Sequence, residues 1–484
     1  MSRPFDEARY KGLLEGLDTT VLKLSEVRSD NDKFRIDDAY FSKAAVLALR
    51  RIESLPHVRL GEVTREFRKG IFDIKADSYV ENGIPFVRIA DLKNGLIDTT
   101  GMAHISPEVH AAEVKTALRL GDIVLSKTAI PAASFVNLDE CNVSQDTIAV
   151  RLAQVWKEQL RSAFVVAFLN SRYGLALMER QFQGNVQAHL SLPDGKKLSL
   201  PLFSLSLQDV VQNAYLLAHE KLQEARKHTT GAEQTLLRAL GLENWQPPEP
   251  LTYIRRASDA FAAGRLDADY FAPKYDKMIA RMAASGECVN LDFLLNVNRR
   301  GKQPQYAETG LPVINSKHVL KNEVRLNEDN AFAITSDDAL KIENGDVLVN
   351  GTGVGTIGRA AAYLYDEPAL PDNHVTILRP RSGSIDPIYL SVFLNTIAGQ
   401  WQVEKYLRGS SGQIELYPTD IAQFKICLAQ DSVQQEIHSL VIGAFSARRQ
   451  AHILLEAAKR AVEIAIEECE AAALAYLKEN SELS

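Results

Sequence analysis

The sequence is short of the residues that would place it in several familiar classes. Its 484 residues include four cysteines, Cys141, Cys288, Cys427 and Cys469, far apart and with no C-x-x-C pair. That spacing suggests neither a disulfide framework nor a thiolate zinc site. No apolar run reaches the roughly 18–20 residues needed to span a bilayer. The opening Met1-Ser2-Arg3-Pro4-Phe5-Asp6-Glu7 has no apolar core of the secretory kind, so a cytoplasmic protein of bacterial type is expected. Positive charge is also scarce. A net charge of -7 argues mildly against a chain that grips nucleic acid on its own.

The signatures of catalysis are equally thin. No G-x-x-x-x-G-K-[ST] loop is present, so ATP-driven work is not expected of this chain. None of the ten histidines forms an H-x-x-x-H pair, and metal ligation is not expected. The double proline in Gln246-Pro247-Pro248-Glu249 lacks the aromatic residue that a base-methylating tetrapeptide needs to stack on a flipped base. Pro193-Asp194-Gly195-Lys196 hints at a nuclease core, but no carboxylate–x–lysine completes it. Gly353-Val354-Gly355-Thr356-Ile357-Gly358 matches G-x-G-x-x-G, yet Arg359–Tyr365 reads as a strand rather than the helix a dinucleotide loop must open. A structural glycine loop is favoured over a cofactor site. No enzyme activity is expected.

What the sequence does hold is a duplication. Arg35-Ile36-Asp37-Asp38-Ala39-Tyr40-Phe41 returns as Arg265-Leu266-Asp267-Ala268-Asp269-Tyr270-Phe271. In the same order, YVENGIPFVR from Tyr79 matches YAETGLPVIN from Tyr306, and Gly121-Asp122-Ile123-Val124 matches Gly345-Asp346-Val347-Leu348. DTIAVR ending at Arg151 matches HVTILR ending at Arg379, and Phe168-Leu169-Asn170 matches Phe393-Leu394-Asn395. Collinear matches with little drift in offset mark an internal repeat. Each copy reads as strand-rich, with Gly-Asp turns feeding β-branched runs.

Helical patterns follow each copy. After the first come Leu207, Val210, Val211, Ala214 and Leu217, then Leu236, Leu237 and Leu240. Between them 221–231 is polar and contains Thr229-Thr230-Gly231, so a break or a weak seam is expected there. After the second, Val433, Ile437, Leu440, Ala444, Ala451, Leu455, Ala458, Val462, Ala465 and Cys469 form a stripe interrupted by Arg448. Its spacing is that of a helix packed along a partner helix. Two antiparallel arms would satisfy each other's seams.

The ordered recurrence of these phrases, from about Arg35 to the 470s, resembles the specificity subunits of type I restriction–modification systems. The resemblance implies an α+β chain with a pseudo-two-fold internal repeat, in which two strand-rich target recognition domains are joined and spaced by long antiparallel, coiled-coil-like helices. Its divisions would be an N-terminal segment 1–34, a first target recognition domain 35–205, a central helical spacer 206–245, a linker 246–264, a second target recognition domain 265–430 and a C-terminal helical spacer 431–484. Each recognition domain would read one half of a split, asymmetric site in double-stranded DNA. The helices would dock two DNA methyltransferase subunits, which a motor–nuclease subunit can join, with no membrane partner. S-adenosylmethionine and ATP/Mg are expected only in those partners, with no cofactor in this chain. The first copy departs from the pattern, with Ser126-Lys127-Thr128-Ala129-Ile130-Pro131 where the second has its glycine-rich phrase.

Side chains able to hydrogen-bond base edges or phosphates give the candidate DNA contacts. In the first copy these are Arg65, Arg68, Lys69, Arg88 and Lys127. In the second they are Arg299, Arg300, Lys302, Asn315, Lys317, His318, Asn350, Arg359, Arg408 and Gln413. Val433, Ile437, Leu440, Leu455 and Val462 are expected to face a docked partner. Residues 35–161 hold 17 basic and 17 acidic side chains, so a strong unaided grip on DNA is not expected. The alternative is a scaffold of the same fold in another anti-phage defence complex, acting through its arms.

Overall fold

The computed structural model describes the chain except for residues 1–5, 18, 29–30, 94, 185–187, 248, 327–329, 335–339, 410–413 and 482–484. It divides into two units. One comprises Met1–Leu222 with Arg449–Ser484, the other Gln223–Arg448. Each therefore takes part of two long helices, Leu205–Ala239 and Asp431–Glu467, here called the central and C-terminal arms.

The same sheet is built in each unit. In the first, strands order as Thr64–Lys69, Thr147–Leu152, Ile123–Ser126 and Ala133–Phe135, extended by two short strands. In the second, the order is Leu295–Arg300, Val375–Pro380, Val347–Asn350 and Ala360–Ala362. Even the register agrees: Lys69 lies opposite Ile148, and Arg300 opposite Thr376. Ile123-Val124-Leu125 is apolar without alternation because both faces of its strand are covered. Ile123 and Leu125 pack with the helix Ser162–Leu169 and the arm residues, while Val124 packs with a smaller, second sheet. Val347, Val349 and Leu348 divide in the same way.

The repeated phrases prove to be matched polar fasteners. Asp122 of the Gly-Asp turn accepts from Arg151 Nε (3.0 Å) and Nη2 (2.6 Å), and Arg151 also donates to the Ala117 carbonyl. Asp346 and Arg379 repeat this at 2.7 and 2.9 Å, with the Lys341 carbonyl in the third role. The asparagine of Phe-Leu-Asn clips a strand: Asn170 both accepts from and donates to the Ala133 backbone, as Asn395 does with Ala360. Arg35 pairs with Asp37, donates to the Arg180 carbonyl and lies over the Tyr40 ring. Arg265, Asp267, the Leu407 carbonyl and Tyr270 make the same set.

The structure bears on three expectations. The central arm runs unbroken through 221–231. Its Thr229 hydroxyl bonds back to the Ala225 carbonyl (2.9 Å) and accepts from Arg448 (2.9 Å), which also reaches Glu323 at 3.1 Å. The two interruptions of the apolar stripes are thus partners. Within the second unit the arms run antiparallel, with Thr235 bonded to Glu436, Gly231 beside Leu440 and Gly443 beside His228. Ala225, Ala444 and Ala447 let their backbones approach closely.

The second correction concerns partner docking. Ile437 is buried in the second unit's core with Val433 and Leu440 packed against it, and Leu455 and Val462 are buried in the first unit's core. Ile437, Leu455 and Val462 are thus taken up by internal packing, while Val433 and Leu440 are only partly buried. The third concerns cysteine. Cys288 and Cys427 sit directly opposite in a two-stranded antiparallel ladder and form a disulfide. Linear spacing hid a pairing that strand register creates. Cys469 is exposed, whereas Cys141 is buried and its thiol is pushed up to about 12 by desolvation.

Two stability measurements follow. Arg151→Ala strands the Asp122 carboxylate, 6% exposed, and is expected to cost about 3 kcal/mol in urea unfolding. Asp267→Ala, at a pair whose carboxylate is 44% exposed, should cost under about 1 kcal/mol. Burial holds the Glu233 carboxyl above its ordinary range, with the Asn322 amide as donor at 3.3 Å. A raised carboxyl favours the fold at low pH and loses that contribution as pH rises through the folded value. Glu233→Gln should therefore melt higher than the parent near about pH 8 and lose the advantage near about pH 4.

Candidate nucleic-acid interface

At one end of each sheet the same backbone frame carries a different set of polar side chains. In the first unit, Lys69, Lys127, Thr128, Gln145, Asp146 and His189 line a cleft of about 290 Å³. Three links hold it together. Lys127 N–H donates to the Asp146 carbonyl (2.8 Å), the Lys127 carbonyl accepts from Leu190 N–H (2.7 Å), and Thr128 bridges to His189.

The second unit repeats those links with other residues. Gly351 N–H donates to the His374 carbonyl (2.8 Å), the Gly351 carbonyl accepts from Leu416 N–H (2.9 Å), and Thr352 bridges to Glu415. Arg300 thus stands where Lys69 does, Gly351 for Lys127, His374 for Asp146 and Glu415 for His189. The charges are redistributed on an unchanged frame.

In this second set the side chains engage one another. Arg300 Nη1 lies 3.5 Å from Glu415, and the guanidinium carbon is 5.6 Å from the Tyr417 ring centre. The Tyr417 hydroxyl, then Arg300, holds the Glu415 carboxyl below the usual range, and Glu415 raises the phenol in return. Thr352 Oγ1 and His374 Nδ1 are 2.8 Å apart. Arg408 reaches the buried Asp420 at 2.5 Å and leans toward Tyr417. A side chain at 351 would crowd this cluster, since a Cβ there would lie 2.5 Å from Arg300 Nη2 and 3.1 Å from the Leu416 carbonyl.

The sequence candidates therefore separate. Lys69 and Lys127 meet in the first cleft, and Arg300 and Arg408 flank Tyr417 in the second. Arg65 and Arg68 lie on the first sheet's edge strand near Glu66, at 3.9 and 2.5 Å, and remain largely exposed. Arg299 occupies the corresponding edge strand, and Lys302 follows its turn glycine. Arg88 is engaged with Asp91 at 3.2 Å, closing a turn. Asn315 accepts from Lys317 N–H, and the buried His318 bonds to Asn315 N–H, so this trio shapes a turn. Asn350 is fully buried and donates to the carbonyls of Ser316, Val319 and Thr356, which makes it a clamp within the fold. Arg359 is half-buried beside that loop, and Gln413 lies outside the described residues.

Several cleft residues escaped sequence reading. Thr128, Gln145, Asp146 and His189, with Thr352, His374, Glu415 and Tyr417, complete the two sets. His189 and Glu415 lie far along the chain from the strands they join, yet their offset falls within the drift of the repeat. Extending the alignment past Phe-Leu-Asn would have found them. The Gly353–Gly358 loop leads into the strand Ala360–Ala362, as a structural glycine loop should. Asp194 is buried and accepts from Lys33 and Gln183, a structural role for the Pro-Asp-Gly-Lys segment. Gly351→Ala must displace Arg300 or the Leu416 backbone, and is expected to cost roughly 1–3 kcal/mol in thermal unfolding.

No protein-family model and no curated protein matches the sequence. Solved structures do. A type I restriction–modification S subunit from M. genitalium is 12% identical over 88% of this chain and 95% of that one, with a TM-score of 0.37. The HsdS subunit from Thermoanaerobacter tengcongensis is 17% identical over 88% and 95%, with a TM-score of 0.25. A type I R-M assembly structure gives 17% identity over 88% and 98%, with a TM-score of 0.27. All three superpose on this chain only loosely.

Proposed function

We propose that this chain is the non-catalytic specificity subunit of a type I restriction–modification complex. Each strand-rich unit reads one half of a bipartite, asymmetric site in double-stranded DNA. The observation that carries the proposal is the pair of equivalent sites, a cleft in the first unit and a polar cluster in the second. A shared frame with Lys69, Lys127, Asp146 and His189 on one copy, and Arg300, His374, Glu415 and Tyr417 on the other, suits two readers of unlike sequence. Arginine and lysine recognise guanine edges, and carboxylates accept from cytosine.

On this reading chemistry belongs to other chains. Two methyltransferase subunits bring S-adenosylmethionine, a motor–nuclease brings ATP and Mg, and the complex works in the cytoplasm. No helix among the described residues is long and apolar enough to cross a membrane. The balanced charge of the first copy fits a reader whose partners supply most phosphate contacts. Because the arm stripes are spent internally, partner docking falls to other surfaces of the chain.

The test is methylation mapping. The full chain, co-expressed with a cognate type I methyltransferase, should yield methylated sites made of two unlike half-sites at a fixed separation. A continuous or palindromic motif, or no motif, would overturn the proposal.

A further inference from the structure

Beside each cleft stands an exposed aliphatic side chain that the clefts do not use. In the first unit it is Ile130, 76% exposed, and in the second Val354, 75% exposed. They occupy equivalent positions, two residues after Thr128 and Thr352. The preceding residue is left-handed in both: Ala129 has φ +63° and Gly353 φ +100°. Glycine adopts that conformation freely, but an L-residue such as alanine is strained by it. The two segments, Lys127-Thr128-Ala129-Ile130-Pro131 and Gly351-Thr352-Gly353-Val354-Gly355, share little sequence, yet they present the same kind of side chain in the same place.

The turns are pinned. Ser126 and Ala132 exchange bonds at 2.8 Å, through the Ala132 carbonyl and the Ser126 hydroxyl, and Ala129 N–H donates to the Ala188 carbonyl at 3.2 Å. In the second unit Asn350 takes the place of Ser126, accepting from Gly358 N–H and donating to the Thr356 carbonyl. Thr356 in turn bonds to the Thr352 and Gly353 carbonyls. A lone exposed aliphatic is ordinary. Two at equivalent positions, on pinned turns with the same unusual backbone, beside clefts carrying Lys69 and Lys127 or Arg300 and His374, are not. Beside Ile130 two lysines outnumber Asp146, and beside Val354 Arg300 is paired with Glu415, so the occupant is the DNA of the reading above rather than any polyanion.

We propose that Ile130 and Val354 are wedges, each inserting between base pairs of the half-site read by its own unit. The proposal rests on the DNA-recognition reading above and adds a mechanical element to it. Apolar side chains driven into a base step unstack it and kink the duplex, which lets the cleft residues reach base edges. The first unit adds an aromatic. Phe72 is 71% exposed at the same rim, with Lys69 Nζ 4.5 Å from its ring centre and left-handed Asp73 following it. The corresponding position of the second unit is Gln303, so the first half-site should be the more strongly distorted.

The test uses the full chain with its methyltransferase and duplexes carrying 2-aminopurine at successive positions of each half-site, away from the methylated base. Anisotropy of an end-attached dye reports binding in the same samples. The expected result is a rise in 2-aminopurine fluorescence at one step in each half-site. Ile130→Ser should abolish the rise in the first half-site alone, Val354→Ser in the second alone, and Ile130→Leu should preserve it. A bound duplex with no rise at any position, or a rise that both serine variants leave intact, overturns the wedges while leaving recognition standing. Failure of the complex to bind any duplex overturns recognition and wedges together.

Discussion

The ion pair that a buried aspartate of the Gly-Asp turn makes with an arginine near the end of a neighbouring strand is the constraint on which each unit depends. Asp122 cannot be desolvated alone, so the fold must deliver Arg151 to it. Asp346 makes the same demand of Arg379. Meeting the demand fixes two strands in one register, because the aspartate is at the start of one and the arginine near the end of the other. With that register set, Ser126 and Asn350 fall at the same height, and the turns beyond them open at the same end of the sheet. The clefts inherit their geometry from a pair of charges well removed along the strands.

The arms solve a second problem by similar means. An uninterrupted apolar stripe would allow two helices to slide past one another by a turn at little cost. Here the stripe is broken where Thr229 meets Arg448, and Arg448 continues to Glu323 in the second unit's own hairpin. A displaced register would leave a guanidinium without its acceptors, so the polar interruption specifies alignment where the alanines only permit closeness. Glu323 is held in turn by Arg325. The seam and the sheet are therefore coupled within that unit.

This arrangement explains what could be read in advance. The recurring phrases were legible because a fastener constrains both of its partners: Asp122 with Arg151, Asn170 with the Ala133 backbone, Arg35 with Asp37. Such residues persist in both copies, and they report scaffold. Side chains that differ between copies, such as His189 and Glu415, left no mark in a search for similarity, although they line the clefts. The unbroken central arm was illegible for another reason. Helix propensity alone makes Thr229-Thr230-Gly231 a weak stretch, and only the distant Arg448 shows why it holds. The apolar stripe was visible, but periodicity identifies a buried face without saying what buries it. Register likewise decided the cysteines, since 288 and 427 become neighbours only when their strands pair.

The charge balance now has a physical reading. A chain of net charge -7 cannot rely on long-range attraction to DNA, and partners that neutralise phosphates would leave it free to discriminate. Glu415 illustrates the consequence on the proposed reading. A carboxylate in a DNA-facing cleft repels phosphates and so weakens indiscriminate binding. Its pairing with Arg300 keeps the guanidinium aligned on Tyr417 until a base edge can compete for it. The first cleft carries His189 at that position, and its two lysines outnumber its single carboxylate, Asp146, which favours affinity over selectivity. On that reading two readers on one frame divide the task, and it is their difference in charge, rather than any difference in fold, that would make the site they read asymmetric.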